Sequence, residues 1–221
     1  MIHQVYGIFN DGINLEDIPT YKQNVDETQK FCKLHNYEYK LWDLKDCEKL
    51  IEEDFPEYLE LWNDFRYPIQ RCDFIRYCIL YKFGGLYLDC DIRPVKNLDA
   101  VFNEPFYFVH WASDDNRKVY NAIMYSSKNQ KLFLDFMNEC KRSFYEKSKN
   151  KTYDTWKGRF IFQTTGHYML ERVIKKNKIN KDKYFHNVLY VKNIKKGYDI
   201  GNPNTALFYD NNASVWYDNL I

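Results

Sequence analysis

Two aspartates separated by one cysteine, Asp89 and Asp91, close the run RCDFIRYCILYKFGGLYLDCD at residues 71–91. They directly follow a short apolar segment, Leu86–Leu88, that reads as a strand. In an extended chain residues i and i+2 share a face about 6.5–7 Å apart, so this spacing predicts two carboxylates in one small volume. Such carboxylates repel, and without compensation one pKa rises. A hard divalent cation resolves the conflict: Mg²⁺ or Mn²⁺ typically takes one or two protein carboxylates and completes its shell with substrate phosphates. An ordinary polar turn after a strand would contain the same residues and do no chemistry.

A second charged pair precedes the first. Asp73 and Arg76 are spaced i,i+3 on a predicted helix and can meet on one face. On an exposed helix the pair would contribute about 0.2–0.5 kcal/mol and nothing more. Here Phe74, Ile75, Tyr77, Ile79 and Leu80 surround it, which predicts a well-buried helix. Buried charges need partners, and a sugar's hydroxyls or a diphosphate would serve.

The elements that must position these groups are legible nearby. Pro68 suits the first turn of a helix over Ile69–Phe83, because its missing N–H would be unpaired there anyway. Gly84-Gly85 ends that helix, and Pro94 is expected to stop the strand that follows. Upstream, His3–Ile8 reads as a strand closed by Asn10-Asp11-Gly12, then come a helix over Tyr21–Leu34 and a strand over Tyr37–Trp42. Asp43 is placed to cap a further helix, and Pro56–Asn63 reads as another. Downstream, strands are expected at Phe106–Trp111, Val119–Tyr125 and Asn187–Val191, with helices near Gln130–Tyr145 and Thr165–Lys176. The tail 197–221 shows no clear element. Alternating strands and helices without repeat or linker predict one α/β domain over residues 1–221.

Composition narrows the class. The chain opens MIHQVYGIFNDG, without a basic and apolar leader. Its apolar runs reach about five residues, against the ~20 needed to span a bilayer. Six cysteines with no CxxC pair or zinc-ligand spacing read as reduced thiols, so a cytoplasmic location with no transmembrane segment is expected. The sequons Asn150-Lys-Thr and Asn212-Ala-Ser are then accidental. Net charge is +1, but residues 141–196 hold 16 Lys and Arg against 4 Asp and Glu. That block suits an anionic partner or is simply solvated surface.

The series Asp73-x-x-Arg76-Tyr77-x-x-Leu80-Tyr81-x-x-Gly84-Gly85-Leu86-Tyr87-x-Asp89-x-Asp91 resembles the signature of the DXD-containing sugar transferases called glycosyltransferase family 32. That family includes yeast initiating α-1,6-mannosyltransferases and is related to the catalytic domains of large clostridial glucosylating toxins. The match spans nineteen residues with its internal spacing intact. More weakly, Ile2–Gly7 is similar to the family's first strand, with Tyr6 where a Trp is usual. Asn121–Met124 and Thr165-Gly166 resemble segments around the sugar and acceptor pocket, with His167 where many members carry proline. Ser214-x-Trp216 is similar to a tail motif that closes over the donor diphosphate.

The resemblance implies a GT-A-type nucleotide-sugar-binding fold, a Rossmann-like mixed sheet flanked by helices. It implies a retaining hexosyl transfer, dependent on Mn²⁺ or Mg²⁺, from a UDP- or GDP-sugar to a glycan, lipid or protein acceptor. Carried over, Val5 and Tyr6 hold the base, Asp73 and Arg76 grip the transferred sugar, and Tyr87 lines the ribose or sugar. Asp91 ligates the metal directly and Asp89 does so through water, while Ser214 and Trp216 meet the diphosphate. Asn121, Thr165 and Gly166 belong to the acceptor or sugar pocket. A further metal ligand would be Asp210, Asn211 or Asn212, where members often carry histidine. Two other readings stay open: a non-catalytic nucleotide-sugar or glycan-binding module, and a nucleic-acid-binding protein using residues 141–196. The acidic N-terminal half and the lack of a helix-turn-helix or RNA-binding motif argue against nucleic acid.

Overall fold

A computed structural model of the chain describes residues 1–110, 118–193 and 198–211. Strand β1 (Ile2–Val5) ends earlier than expected, because Gly7 turns the chain at φ +84°. Helix α1 (Pro19–His35) starts with proline in its first turn and stops at Asn36, whose left-handed φ of 58° ends the ladder. After β2 (Tyr39–Trp42), the Asp43 carboxylate accepts from the Asp46 N–H at 2.8 Å and caps α2 (Leu44–Asp54), as its sequence position suggested. The next predicted helix is split: Pro56–Tyr58 forms a 3₁₀ turn, and α3 covers Leu59–Asp64.

Helix α4 (Pro68–Phe83) then carries the first charged pair. Its start is fixed by Gln70, whose side-chain oxygen accepts from the Arg66 and Tyr67 N–H groups. Gly84 and Gly85 close it at φ +68° and +93°. A Cβ at Gly85 would lie 2.5 Å from the Met1 carbonyl oxygen, so only glycine lets β3 (Gly85–Leu88) approach β1.

Strand β4 (Ile92–Pro94) ends with Pro94, where a stop was expected, and a short α5 (Asp99–Phe102) follows. Proline is accepted because β4 is an edge strand, paired on one side only. Strands β5 (Phe106–His110) and β6 (Val119–Ser126) lead to α6 (Lys131–Ser148). Two helices that sequence reading missed, α7 (Thr152–Thr155) and α8 (Lys157–Thr164), precede α9 (His167–Lys176). The chain continues through α10 (Lys181–Tyr184), β7 (Phe185–His186), β8 (Leu189–Asn193), β9 (Tyr198–Ile200) and β10 (Phe208–Asp210). The tail expected to lack elements therefore supplies two strands.

The main sheet has order β2-β1-β3-β6-β5-β7, with β1 parallel to both β2 and β3 and with β6 antiparallel to β3 and β5. A second sheet, β4-β10-β8-β9, pairs Ile92 with Asp210 and Val191 with Asp210 from the other side. Strand alternation sorts the core onto two faces. Tyr87, Phe108 and Met124 pack with the helices α2, α3, α4, α6, α8 and α9. Leu86, Leu88, Val109 and Ile123 pack instead with Cys32 of α1 and with Leu189, Val191 and Phe208 of the second sheet. No helix of the described residues is long and apolar enough to cross a membrane.

Candidate active site

In the main sheet β1 leads to β2 on one side, while β3 lies on the other. Connections diverging in this way leave a crevice at the carboxyl ends of the strands, the usual ligand position in an open α/β sheet. A cleft of about 560 Å³ lies there, lined by Val5 and Tyr6 after β1 and by Asp89 and Asp91 after β3. That volume is in the range of small-molecule sites.

The two aspartates do not sit on extended chain as the spacing suggested. The Ile92 N–H donates to the Asp89 carbonyl at 3.0 Å, so residues 89–92 form a tight turn between β3 and β4. The register of β3 delivers the turn to the cleft, and the Asp89 N–H is fixed on the Ala122 carbonyl of β6 at 3.0 Å. The Asp89 carboxylate accepts from the Tyr87 hydroxyl at 2.7 Å and lies 3.3 Å from Arg76 Nη1, with its side chain one-third exposed. Buried Gln4 of β1 braces the turn from behind, donating to the carbonyls of Asp89 (3.2 Å) and Ile92 (3.3 Å) while accepting from Tyr39.

Asp73 and Arg76 are both buried and meet at 3.3 Å on α4, as the helical spacing required. Arg76 Nη1 also donates to the Asn121 carbonyl at 2.7 Å, and its guanidinium lies 4.8 Å from the Tyr87 ring centroid. Burial alone would pull this guanidinium down, yet Asp89, Tyr87 and Asp73 hold it well above its ordinary pKa. The Asp73 carboxylate accepts from Asn121 Nδ2 and from the Thr165 hydroxyl, each at 2.9 Å. Burial pushes its pKa up to about 6, with Arg76 and Thr165 opposing the rise. The structure thus joins Asn121 and Thr165 to Asp73, and it puts Gly166 so close that an added Cβ would lie 3.5 Å from Asp73 Oδ2. Thr165-Gly166 is not helix interior but the junction of α8 and α9, with Gly166 as the α9 N-cap.

Further cleft residues carried no readable sequence signal. Tyr21 of α1 packs edge-on against Tyr6 with ring centroids 6.3 Å apart. Its phenol is pushed far up, first by burial and then by Asp91 and Asp89, so both carboxylates act on one point of the cleft. Tyr120 donates to Asp210 Oδ2 at 2.7 Å, and burial, Asp210 and Asp91 in that order raise its phenol. Lys118 and His167 line the same cleft, and burial and then Lys118 depress the imidazole.

The donor set at the turn fits a hard divalent cation. Asp89 and Asp91 present carboxylates to one cleft, the ligand type that Mg²⁺ and Mn²⁺ take. Among the described residues no three His, Cys, Asp or Glu side chains converge into a complete metal site. Asp210 is buried against Tyr120. The Asn211 side-chain oxygen accepts from Asn24 and Arg93, and its N–H donates to the Asp91 carbonyl. Asn212, Ser214 and Trp216 lie outside the described residues.

Comparison with known proteins agrees with this geometry. Residues 9–107 match the glycosyltransferase sugar-binding region containing a DXD motif. Mannosyl phosphorylinositol ceramide synthase SUR1 of Saccharomyces cerevisiae is 32% identical over 142 residues, 64% of this chain and 34% of that protein. Inositol phosphoceramide mannosyltransferase 3 of Schizosaccharomyces pombe is 42% identical over 79 residues, 35% of this chain and 22% of that one. The chain thus spans about a third or less of the length of these relatives. Among solved structures, PaToxG Glycosyltransferase aligns over 80% of this chain and 67% of that one, at TM-score 0.51 and 14% identity. That likeness shows the fold: a GT-A-type α/β architecture with a mixed sheet between helices, as the sequence implied.

Proposed function

We propose, from the DXD-containing glycosyltransferase sugar-binding region at residues 9–107, that this chain transfers a hexose from a UDP- or GDP-sugar to an acceptor hydroxyl. The observation that carries the reading is the continuous network Asp73–Arg76–Asp89 on one cleft wall, closed by Asn121, Thr165 and Tyr87. A buried structural ion pair would also need hydrogen-bond partners, but it would not need Asp73, Arg76, Tyr87, Asp89 and Asn121 all to line a cavity.

In this reading the base lies near Val5 and Tyr6, and the diphosphate reaches toward Asp89 and Asp91. Mn²⁺ or Mg²⁺, held by Asp91 and through water by Asp89, would neutralise charge that develops on the departing diphosphate. Arg76, fixed by two carboxylates and the Cys72 and Asn121 carbonyls, adds a preorganised cation to the same region, an electrostatic contribution of several kcal/mol. Asp73 has lone pairs left beyond its bonds to Asn121 and Thr165, and it accepts from hydroxyls of the transferred sugar. Ser214 and Trp216 would close over the diphosphate and exclude water.

Among the described residues the acids lining the cleft are Asp11, Asp73, Asp89 and Asp91. Each of the last three already has a role, and Asp11 is exposed with its carboxylate taken by the Ile13 N–H, so retention by same-face attack is favoured over a covalent glycosyl-enzyme. The names of the yeast relatives favour a lipid acceptor with a phosphorylated headgroup, and Lys118 on the cleft suits an anion.

A panel of UDP- and GDP-sugars with Mn²⁺, scored by nucleotide release and thermal shift, tests the reading. One donor should stabilise the protein only with metal and release nucleotide. Stabilisation without any turnover, whatever the acceptor, would mark a binding module instead.

A further inference from the structure

Several cations of residues 141–196 are held in ion pairs. Arg142 is paired with Glu139 and Glu146, Arg172 with Glu139, and Lys181 with Glu171. Residues 147–159 form a separate basic stretch. They hold Lys147, Lys149, Lys151, Lys157 and Arg159 against one acid, Asp154. Arg66 takes that carboxylate at 3.0 Å and also donates to the Ser148 carbonyl at 3.0 Å, closing the lobe and adding a further cation.

Trp156 belongs to this basic stretch, 53% exposed, with the Arg159 guanidinium 5.1 Å from its ring centroid. A single exposed aromatic is ordinary. An exposed indole with a guanidinium at its ring, in a basic stretch of chain, matches one chemistry well: indoles settle at headgroup depth in a bilayer, and basic residues near an anionic leaflet each strengthen attachment about fivefold. A single-stranded nucleic acid would use the same cations but stacks successive bases on several aromatics along a groove. Among the described residues of this lobe only Trp156 is a broadly exposed ring.

The lobe is coupled to the cleft through α8. Trp156 precedes its first turn, while Ile161 and Phe162 near its other end line the cleft. Six residues of helix span about 9 Å. A surface that holds Trp156 therefore also fixes which side of the cleft faces it.

We propose that residues 147–159, centred on Trp156, form a docking surface for an anionic lipid bilayer that turns the α8 side of the cleft toward the membrane. The attachment is peripheral, through the indole and its cations. It does not require the acceptor itself to be a lipid, so it stands or falls apart from the function proposed above.

The test uses the full chain without donor or acceptor. Sedimentation with phosphatidylcholine vesicles is compared with and without added phosphatidylglycerol. Binding should require phosphatidylglycerol and should fade as salt rises from about 0.1 M toward about 1 M, where the Debye length shrinks from about 10 to about 3 Å. Trp156→Ala, and separately the joint change Lys149→Gln, Lys151→Gln and Lys157→Gln, should each weaken binding by at least about tenfold. Both variants should keep the wild-type thermal midpoint and donor binding. Equal binding to both vesicle types, undiminished binding by both variants, or retention on duplex DNA without vesicle binding would each overturn the proposal.

Discussion

The side chain of Gln4, fully buried on β1, donates to the backbone carbonyl of Asp89 at 3.2 Å, so the first strand holds the turn that carries both cleft aspartates. Its second bond, to Ile92, clamps the other end of that turn. Gln4→Leu nearly keeps the volume but removes the donor to both carbonyls and one partner of the Tyr39 hydroxyl. It should cost roughly 2–3 kcal/mol of stability. It should also weaken Mn²⁺-dependent donor binding more than an equally destabilising core change such as Leu50→Ala does. Titration calorimetry on both variants checks this; equal affinities would reduce Gln4 to a packing role.

Asp91→Asn should leave the fold and its melting temperature near wild type, because Asp91 is only partly buried and at the cleft surface. Donor-induced thermal stabilisation by Mn²⁺ should disappear. A variant that still shows metal-dependent donor binding would remove Asp91 from the metal site.

Asp73→Asn should lower turnover by at least about 10²-fold, about 2.7 kcal/mol of transition-state stabilisation. An exposed ion pair could not produce this, being worth under about 1 kcal/mol. Thr165→Val removes one hydrogen bond to the same carboxylate without touching its charge, so it should cost roughly tenfold. Steady-state kinetics on the two variants gives the comparison, and near-wild-type rates for Asp73→Asn would return the pair to a purely structural role.

His3 gives a stability prediction with a defined sign. Its Nε2 lies 2.8 Å from the Gly84 carbonyl, and its Nδ1 accepts from the Trp42 indole at 3.2 Å, so the buried ring is neutral. Burial lowers its pKa from 6.5 to about 4. The unfolded chain therefore binds the proton first, and this contribution to stability is complete above about pH 6.5 and lost progressively down to about pH 4. The loss amounts to about 3 kcal/mol. Asp73 acts oppositely: its raised pKa makes folding less favourable as pH rises from about 4 to about 6. Urea unfolding of wild type and His3→Gln across this range separates the two, because their difference isolates His3. A difference independent of pH would refute the assignment.

The sequence by itself determined the local machinery of the site. Helical spacing put Asp73 beside Arg76, Pro68 and the paired glycines bounded α4, and the apolar run β3 delivered Asp89 and Asp91 to a strand end. These features depend on propensity, capping and side-chain period, which act over a few residues. Only the tertiary structure decided the rest. Thr165 reaches Asp73 across 92 positions and Gln4 reaches Asp89 across 85, and no local pattern encodes such meetings. Of the second sheet only β8 was expected, as Asn187–Val191, and the other strands were hidden for a related reason. Strands β4, β9 and β10 are three residues long, too short for an alternating signal, and β10 exists only because β4 and β8 supply backbone partners on either side of it. The turn at 89–92 likewise follows from that pairing: β4 must leave the main sheet to join β10, and the chain can do so only by bending at the two aspartates.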